Sequence, residues 1–402
     1  MAGRNQARAW SSLVIRVNPL LHDTASPPIP EAQGWARRYG GGRGPLVDLA
    51  QAVPGYPPHP GILEALASAA SSPLLAGYGA ILGDQDLRTA YARHVAGIFG
   101  VPIRPAEVAV TAGCNQAFFA AVLALAKAGD AVILPSPWYF NHKMTLDMLG
   151  IEARAVPASA EDGFVPDPGR ISEAIDGRVR AVVLISPNNP TGAVYPPETL
   201  RAIHRICRDR GVALLLDETY RDFLADAGTR PHDLFGQPGW QDTLVELYSF
   251  SKSFCIPGHR LGAVVAGEAF LAEFAKVMDC IQICAPRIGQ HALAATLDPM
   301  AAWREENRRE IIGRAQAFRS AAARFDGWRL DAIGAYFAFL RHPFDAPAAV
   351  VAERLAEERG VLCLPGSYFG PGNESHLRIA FANADRAAIE GLPDRFQNLT
   401  IG

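Results

Sequence analysis

Lys252 stands among serines in Ser249-Phe250-Ser251-Lys252-Ser253, and Arg260 follows eight positions later in the glycine-flanked loop Gly258-His259-Arg260-Leu261-Gly262. A lysine amine whose pKa is lowered by burial or by a neighbouring cation can condense with an aldehyde to a Schiff base. The planar guanidinium of Arg260 suits a phosphate group, and Ser249 and Ser251 could help to hold the same phosphate. Alone, S-x-S-K reads as a surface lysine in a serine-rich turn. Four other stretches change that reading.

Asp217 ends the apolar run Leu214-Leu215-Leu216 and is followed by Glu218-Thr219-Tyr220. A carboxylate at the tip of a buried strand is costly unless a cation pairs with it. A protonated pyridine nitrogen would be such a cation, and Tyr220 could reach the same ring. The competing role for Asp217 is a helix N-cap. Asn189 lies in Ser186-Pro187-Asn188-Asn189-Pro190-Thr191-Gly192, pinned between a strand end and a proline. That placement aims its amide into a cleft, although turn chemistry also accounts for N-P-T-G. Tyr139, after Pro137-Trp138, could stack on a flat cofactor or serve as an ordinary core aromatic. Gly113-Cys114-Asn115 falls where a strand meets a helix start, and free N–H groups with the helix dipole favour an anion there. The set comprises a lysine, a carboxylate for a ring nitrogen, donors for a ring oxygen, a stacking aromatic and a phosphate cup. Those needs are the needs of pyridoxal 5′-phosphate.

The elements that must position these residues are strands alternating with helices. Apolar runs predict strands over 108–111, 131–134, 153–156, 179–185, 212–216, 244–248 and 261–266, with helices between several of them. This order gives an α/β fold with a mostly parallel, doubly wound sheet, and ligands bind such sheets at the carboxyl ends of the strands. Each motif above lies at such an end. Helix is predicted from 267 through about 297 and again over 303–324. Strands near 328–330, 335–340, 361–364 and 376–381 then build a smaller α+β domain. The predicted organisation is an N-terminal arm (1–49) packing with the small domain, a large domain (50–298) and a small C-terminal domain (299–402). The arm reads as irregular, and Ile15, Leu20, Leu21, Ile29, Trp35 and Tyr39 need burial against another domain or subunit.

At 402 residues the chain exceeds the usual single-domain size. Apolar residues make up 49% and charged residues 20%, which suits a globular protein with a large core. A formal net charge of −3 offers no footprint for nucleic acid or a membrane surface. Six cysteines are scattered; Cys280 and Cys284 have helical spacing, but no second pair or histidine cluster completes a metal site. Reduced thiols and the lack of a signal sequence or long apolar run point to a cytoplasmic protein.

With these motifs in this order, the chain resembles the fold-type I pyridoxal-phosphate enzymes, in the class I/II branch that includes aspartate and aromatic aminotransferases. The resemblance extends over about residues 48–381. It implies that Lys252 binds the cofactor and moves the proton, and that Asp217 keeps the pyridine nitrogen protonated. It implies that Asn189 and Tyr220 donate to the ring oxygen and that Tyr139 stacks. Gly113, Cys114, Asn115, Ser249, Ser251 and Arg260 fall in the phosphate cup. Tyr78, in Tyr78-Gly79-Ala80-Ile81-Leu82-Gly83, matches a tyrosine that reaches the partner subunit's phosphate, which implies a homodimer with shared sites. Arg378, in His376-Leu377-Arg378, matches the arginine that grips the substrate α-carboxylate.

Three positions depart from the family pattern. Cys114 replaces a hydroxyl or small residue. Gln51-Ala52-Val53-Pro54 replaces Q-G-x-P, so Ala52 keeps a backbone N–H at the substrate position but restricts the loop. Asn115 stands where aspartate-directed relatives often carry a lysine, which favours a neutral or aromatic donor. The expected activity is transamination from an L-amino acid to a 2-oxo acid. The alternatives are a C–S β-lyase or other Cα-directed enzyme of the same cofactor, a cofactor-bearing transcription regulator, and an idle scaffold. Residues 1–47 are too short and proline-rich for the regulator's DNA-binding module, and the intact Lys252, Asp217 and Arg260 oppose the idle scaffold.

Overall fold

A computed structural model describes residues 15–226, 228 and 230–401. The chain enters the fold through β1 (Val47–Asp48). Seven strands then make one sheet: β2 (Val108–Thr111), β3 (Ala131–Ser136), β4 (Glu152–Pro157), β5 (Val179–Ile185), β6 (Ala213–Asp217), β7 (Leu244–Ser249) and β8 (Gly262–Val265). Their order is β2-β8-β7-β6-β5-β3-β4. β8 runs antiparallel to both neighbours, while the other pairs are parallel. All seven lie within two residues of the bounds predicted from sequence. For the inner strands legibility follows from burial on both faces, which requires continuous apolar runs such as Val182-Val183-Leu184-Ile185 and Leu214-Leu215-Leu216, whereas β4 at the sheet edge is largely half-buried.

A second, antiparallel sheet is formed by β9 (Arg329–Gly334), β10 (Phe337–Arg341), β12 (Leu364–Pro365) and β13 (His376–Ile379), in the order β12-β13-β10-β9. Between them β11 (Val361–Leu362) pairs in parallel with β1, so the N-terminal segment is tied to C-terminal structure. Trp35, Val47 and Leu49 share one apolar cluster with Ile311, Phe318, Leu355 and Leu377. Each fully buried side chain of this size contributes about 1.5–3 kcal/mol. Phe140, which opens the helix after β3, and Tyr220, which follows β6, belong to the same cluster. The site therefore lies at the seam between the two sheets.

Two sequence expectations change. The arm is not irregular: helices span Pro19–Asp23 and Pro28–Ala36, each with proline in its first turn. Trp35 is buried, but Ile15 is 77% exposed, and Leu20 and Leu21 are exposed as well, so this chain alone does not bury them. Residues 1–14 of the arm lie outside the described residues. The helix predicted through 297 is two helices, Glu268–Gln282 and Arg287–Thr296. Pro286 ends the continuity, and Cys284 falls in the break, off any helical face shared with Cys280. Among the described residues no group of His, Cys, Asp and Glu is arranged to hold a metal, and no helix is long and apolar enough to cross a membrane.

Candidate active site

The carboxyl ends of β5, β6 and β7 converge on a cavity of about 180 Å³ lined by Cys114, Asn115, Tyr139, Asn189, Asp217, Tyr220, Ser249, Ser251, Lys252 and Arg260. Ten of the residues singled out by sequence thus share one wall system. Gln51, Val53, Ile185, Thr219 and Pro257 complete it.

Lys252 sits on a single helical turn, Phe250–Ser253, that β7 feeds directly. Ser249 caps it by accepting from the Ser251 N–H at 3.3 Å. The Lys252 amine donates to the Ala52 carbonyl and lies 5.9 Å from the centre of the Tyr220 ring. Burial, with the nearby Arg378 and Arg260 guanidiniums, pulls its pKa down to about 8. Asp217 shows the opposite response: burial pushes its carboxyl up, while the Thr219 N–H supports the charged form at 2.9 Å from Oδ1. Beside it stands His142, with Nε2 3.7 Å from Oδ2. Burial holds His142 down at about 3, so that imidazole is neutral.

Tyr139 precedes the helix Phe140–Met148, and its hydroxyl accepts from Asn141 Nδ2 at 2.9 Å. Burial pushes the Tyr139 phenol up to about 12, and raises the Tyr220 phenol well above its ordinary value, so both are neutral hydrogen-bond donors. Cys114 is likewise held as a thiol by burial and by Asp217.

The end of the cavity near Arg260 is shaped by backbone. Gly113 has φ +90°, and a Cβ there would stand 2.3 Å from Arg260 Nη2. A Cβ on Gly262 would stand 2.9 Å from the Cys114 nitrogen. Only glycine at both positions lets the Arg260 loop press against the start of the helix Cys114–Leu125. The first N–H groups of that helix have no intrahelical partners, and the buried Ser251 hydroxyl has no partner either.

Arg378 lies behind the cavity, 2% exposed, on β13. One nitrogen donates to the Ala50 carbonyl and another to Asn189 Oδ1 at 3.4 Å, while Nε has no partner. Ala52 meets Lys252 through its carbonyl rather than through the N–H that sequence singled out. Tyr78 is outside the cavity of its own chain, 79% exposed. Sequence reading missed His142 and Thr219. His142 had left a signal, since it shares the buried face of its helix with Thr145 and Leu146, where a histidine needs a reason.

Residues 45–396 match the family described as aminotransferase class I and II. An aromatic aminotransferase of Arabidopsis thaliana is 28% identical over 359 residues, covering 87% of this chain and 89% of that protein. An arginine–pyruvate transaminase of Pseudomonas aeruginosa is 32% identical over 324 residues, covering 78% and 81%. Among solved structures, a mutant aspartate aminotransferase of Thermus thermophilus superposes with a TM-score of 0.86 at 26% identity, covering 95% of this chain and 99% of that one. The chain belongs to the class I and II aminotransferases, a family of pyridoxal-phosphate-dependent transaminases with the fold-type I architecture.

Proposed function

We propose that this protein holds pyridoxal 5′-phosphate in the cavity around Lys252 and transfers an amino group from a neutral or aromatic L-amino acid to a 2-oxo acid. One observation carries the reading: a lysine with its pKa pulled down to about 8 faces, across one cavity, a buried Asp217 whose neighbouring histidine is neutral. A protonated ring nitrogen is the cation that Asp217 lacks. The other groups fit the rest of the cofactor. Arg260, the unpartnered Ser251 hydroxyl, Ser249 and the helix start at Gly113, Cys114 and Asn115 form an anion cup. Asn189 and the neutral Tyr220 are donors for a ring oxygen, and Tyr139 is the stacking ring.

When bound, the cofactor supplies an electron sink for the charge left at the substrate Cα. The chain then has three tasks. Lys252 Nζ takes the Cα proton and returns it. Asp217 keeps the ring nitrogen charged. Arg378 pairs with the substrate carboxylate, for which its unpartnered Nε is available. The cavity's two cations, Lys252 and Arg260, both have tasks, and Asn115 is uncharged. Among the described residues of one chain that leaves no cation in the lining for a distal carboxylate, which supports a neutral or aromatic donor over aspartate. The exposure of Tyr78 supports a homodimer in which it reaches the partner's phosphate.

The test is to add single L-amino acids to the loaded protein without any oxo acid and to follow its visible absorbance. One oxo acid released per site, with loss of the visible band, is expected, fastest with neutral or aromatic donors. Pyruvate and ammonia accumulating with the band unchanged would instead indicate β-elimination. Aspartate as the fastest donor would overturn the substrate assignment.

A further inference from the structure

On the side of the Lys252 turn away from the cavity, three side chains form a hydrogen-bonded chain. Tyr248 Oη lies 2.6 Å from Asp222 Oδ2 and 2.6 Å from Ser253 Oγ. Its polarity can be derived. Burial opposes ionisation of Asp222, but the Arg304 and Arg221 guanidiniums outweigh it and hold the carboxyl below its usual range. An ionised carboxylate only accepts, so the single Tyr248 proton goes to Asp222. Ser253 must then donate to Tyr248. The sequence of bonds is Ser253 to Tyr248 to Asp222, and the other Asp222 oxygen accepts from Arg304 Nη1 at 3.4 Å.

The placement of these residues gives the chain a purpose. Ser253 follows Lys252 directly, and Asp222 comes two residues after Tyr220. The bonds therefore staple the backbone segment that presents the amine to the segment that presents Asp217 and Tyr220. None of Ser253, Tyr248, Asp222 and Arg304 lines the cavity. Arg304 belongs to the long helix Ala301–Ala322, which packs Ile311 and Phe318 into the apolar cluster shared with Trp35, Val47 and Leu377. Its guanidinium lies 5.1 Å from the centre of the Phe254 ring, just past the lysine turn. Tyr248 itself is wedged in place, 4.3 Å from the Arg221 guanidinium and 5.2 Å from the Phe250 ring, centre to centre. An isolated four-residue turn has no stability of its own. What fixes its direction must come from outside it.

We propose that the Ser253–Tyr248–Asp222 chain, anchored by Arg304, orients the Lys252 amine, with Tyr248 as the positioning residue. The inference rests on Lys252 as the proton carrier. Tyr248 touches no reacting atom; it acts by holding the turn, and small displacements of a catalytic group cost large factors in rate.

The experiment pairs steady-state kinetics of the loaded enzyme with trace acetylation of the cofactor-free chain by acetic anhydride. The sequence has four lysines, so peptide mapping reads Lys252 against Lys127 and Lys276 as internal references. Tyr248→Phe and Ser253→Ala should each lower kcat about tenfold, with KM within about twofold. Each should also change the relative acetylation of Lys252 by about threefold or more, and the double variant should be no worse than the more severe single one. Ser253→Thr, which keeps the donor, should restore both readouts. If Tyr248→Phe fails to fold, Ser253→Ala alone decides, because it removes one bond of the chain and leaves Tyr248 bonded to Asp222. Unchanged kcat and unchanged Lys252 labelling in Ser253→Ala would overturn the proposal, as would equal losses in kcat and in binding. Lys252→Ala is the separate control: if that variant turns over substrate, the reading of the site itself fails, whatever the Tyr248 variants do.

Discussion

His142 Nε2 stands 3.7 Å from Asp217 Oδ2, and its imidazole is stacked on Phe118 with ring centres 3.8 Å apart. Burial holds this histidine at about 3, so it faces the carboxylate without charge. Its Nδ1 has no partner, which places the ring proton on Nε2, toward Asp217. At 3.7 Å the contact is longer than a hydrogen bond, so His142 presents a polar ring edge to the carboxylate without neutralising it, leaving the charge for a cation in the cavity.

His142→Phe keeps the stack on Phe118 and replaces the polar ring edge facing Asp217 by an apolar one. The expected loss is about tenfold in kcat/KM, about 1.4 kcal/mol, with the fold intact by circular dichroism. An unchanged kcat/KM would reduce His142 to a packing residue.

Asp217→Asn should separate stability from function. Burial raises the Asp217 carboxyl above its ordinary 3.8. A raised carboxyl favours the folded chain below its ordinary value and loses that contribution as pH climbs through the folded value. At pH 7 the buried charge is therefore a net cost in the cofactor-free protein, and the asparagine variant should melt higher. The advantage should shrink toward pH 4. Activity should fall by about a hundredfold or more, because the ring nitrogen loses its counter-charge. A cofactor-free variant that melts lower at pH 7 would mean the carboxylate is better supported than its neighbours indicate.

The positions most legible in the sequence were those dictated by local covalent logic. A strand buried on both faces must be continuously apolar, so Leu214-Leu215-Leu216 announced both β6 and the placement of Asp217 at its tip. Glycine and proline marked Gly113 and Asn189 in the same way. The Asp222–Tyr248 pair was illegible, and the helical spacing of His142 marked it as buried without showing its role, because the meaning of both depends on partners far away in sequence. The arm helices were missed for another reason: proline-rich runs read as irregular, yet Pro19 and Pro28 occupy first-turn positions where a missing N–H costs nothing.

Lys252 should give the converse pH signature. Its folded value of about 8 lies below the ordinary 10.5. Between those two values the unfolded chain binds more protons, so the cofactor-free protein gains stability as pH rises through that window. Below about 8 both states are protonated and the full cost of burying the cation stands. Lys252→Met should then melt higher than the parent at pH 7, by at most about 3 kcal/mol, and the gap should narrow toward pH 10. A gap independent of pH would show that the gain comes from packing and not from charge.

Arg378 should read the substrate carboxylate and nothing else. Its guanidinium is sandwiched, with Phe337 and Phe369 ring centres 5.2 and 5.3 Å away, and burial pulls it down to about 10. It pairs with no carboxylate among the described residues; carbonyl oxygens of Ala50 and Asn189 hold two of its nitrogens. A buried cation satisfied only by neutral acceptors is short of an anion. Arg378→Lys replaces a planar fork by a single ammonium that cannot bind both carboxylate oxygens. Its kcat/KM for an amino acid should fall about a hundredfold, about 2.7 kcal/mol, chiefly through KM, while cofactor uptake is unchanged. The discriminating measurement uses the corresponding amine, which lacks the carboxylate. With that probe the variant and the parent should react at similar rates. If both probes lose activity equally, Arg378 shapes the cavity through Asn189 and the Ala50 segment, and the substrate carboxylate is held elsewhere.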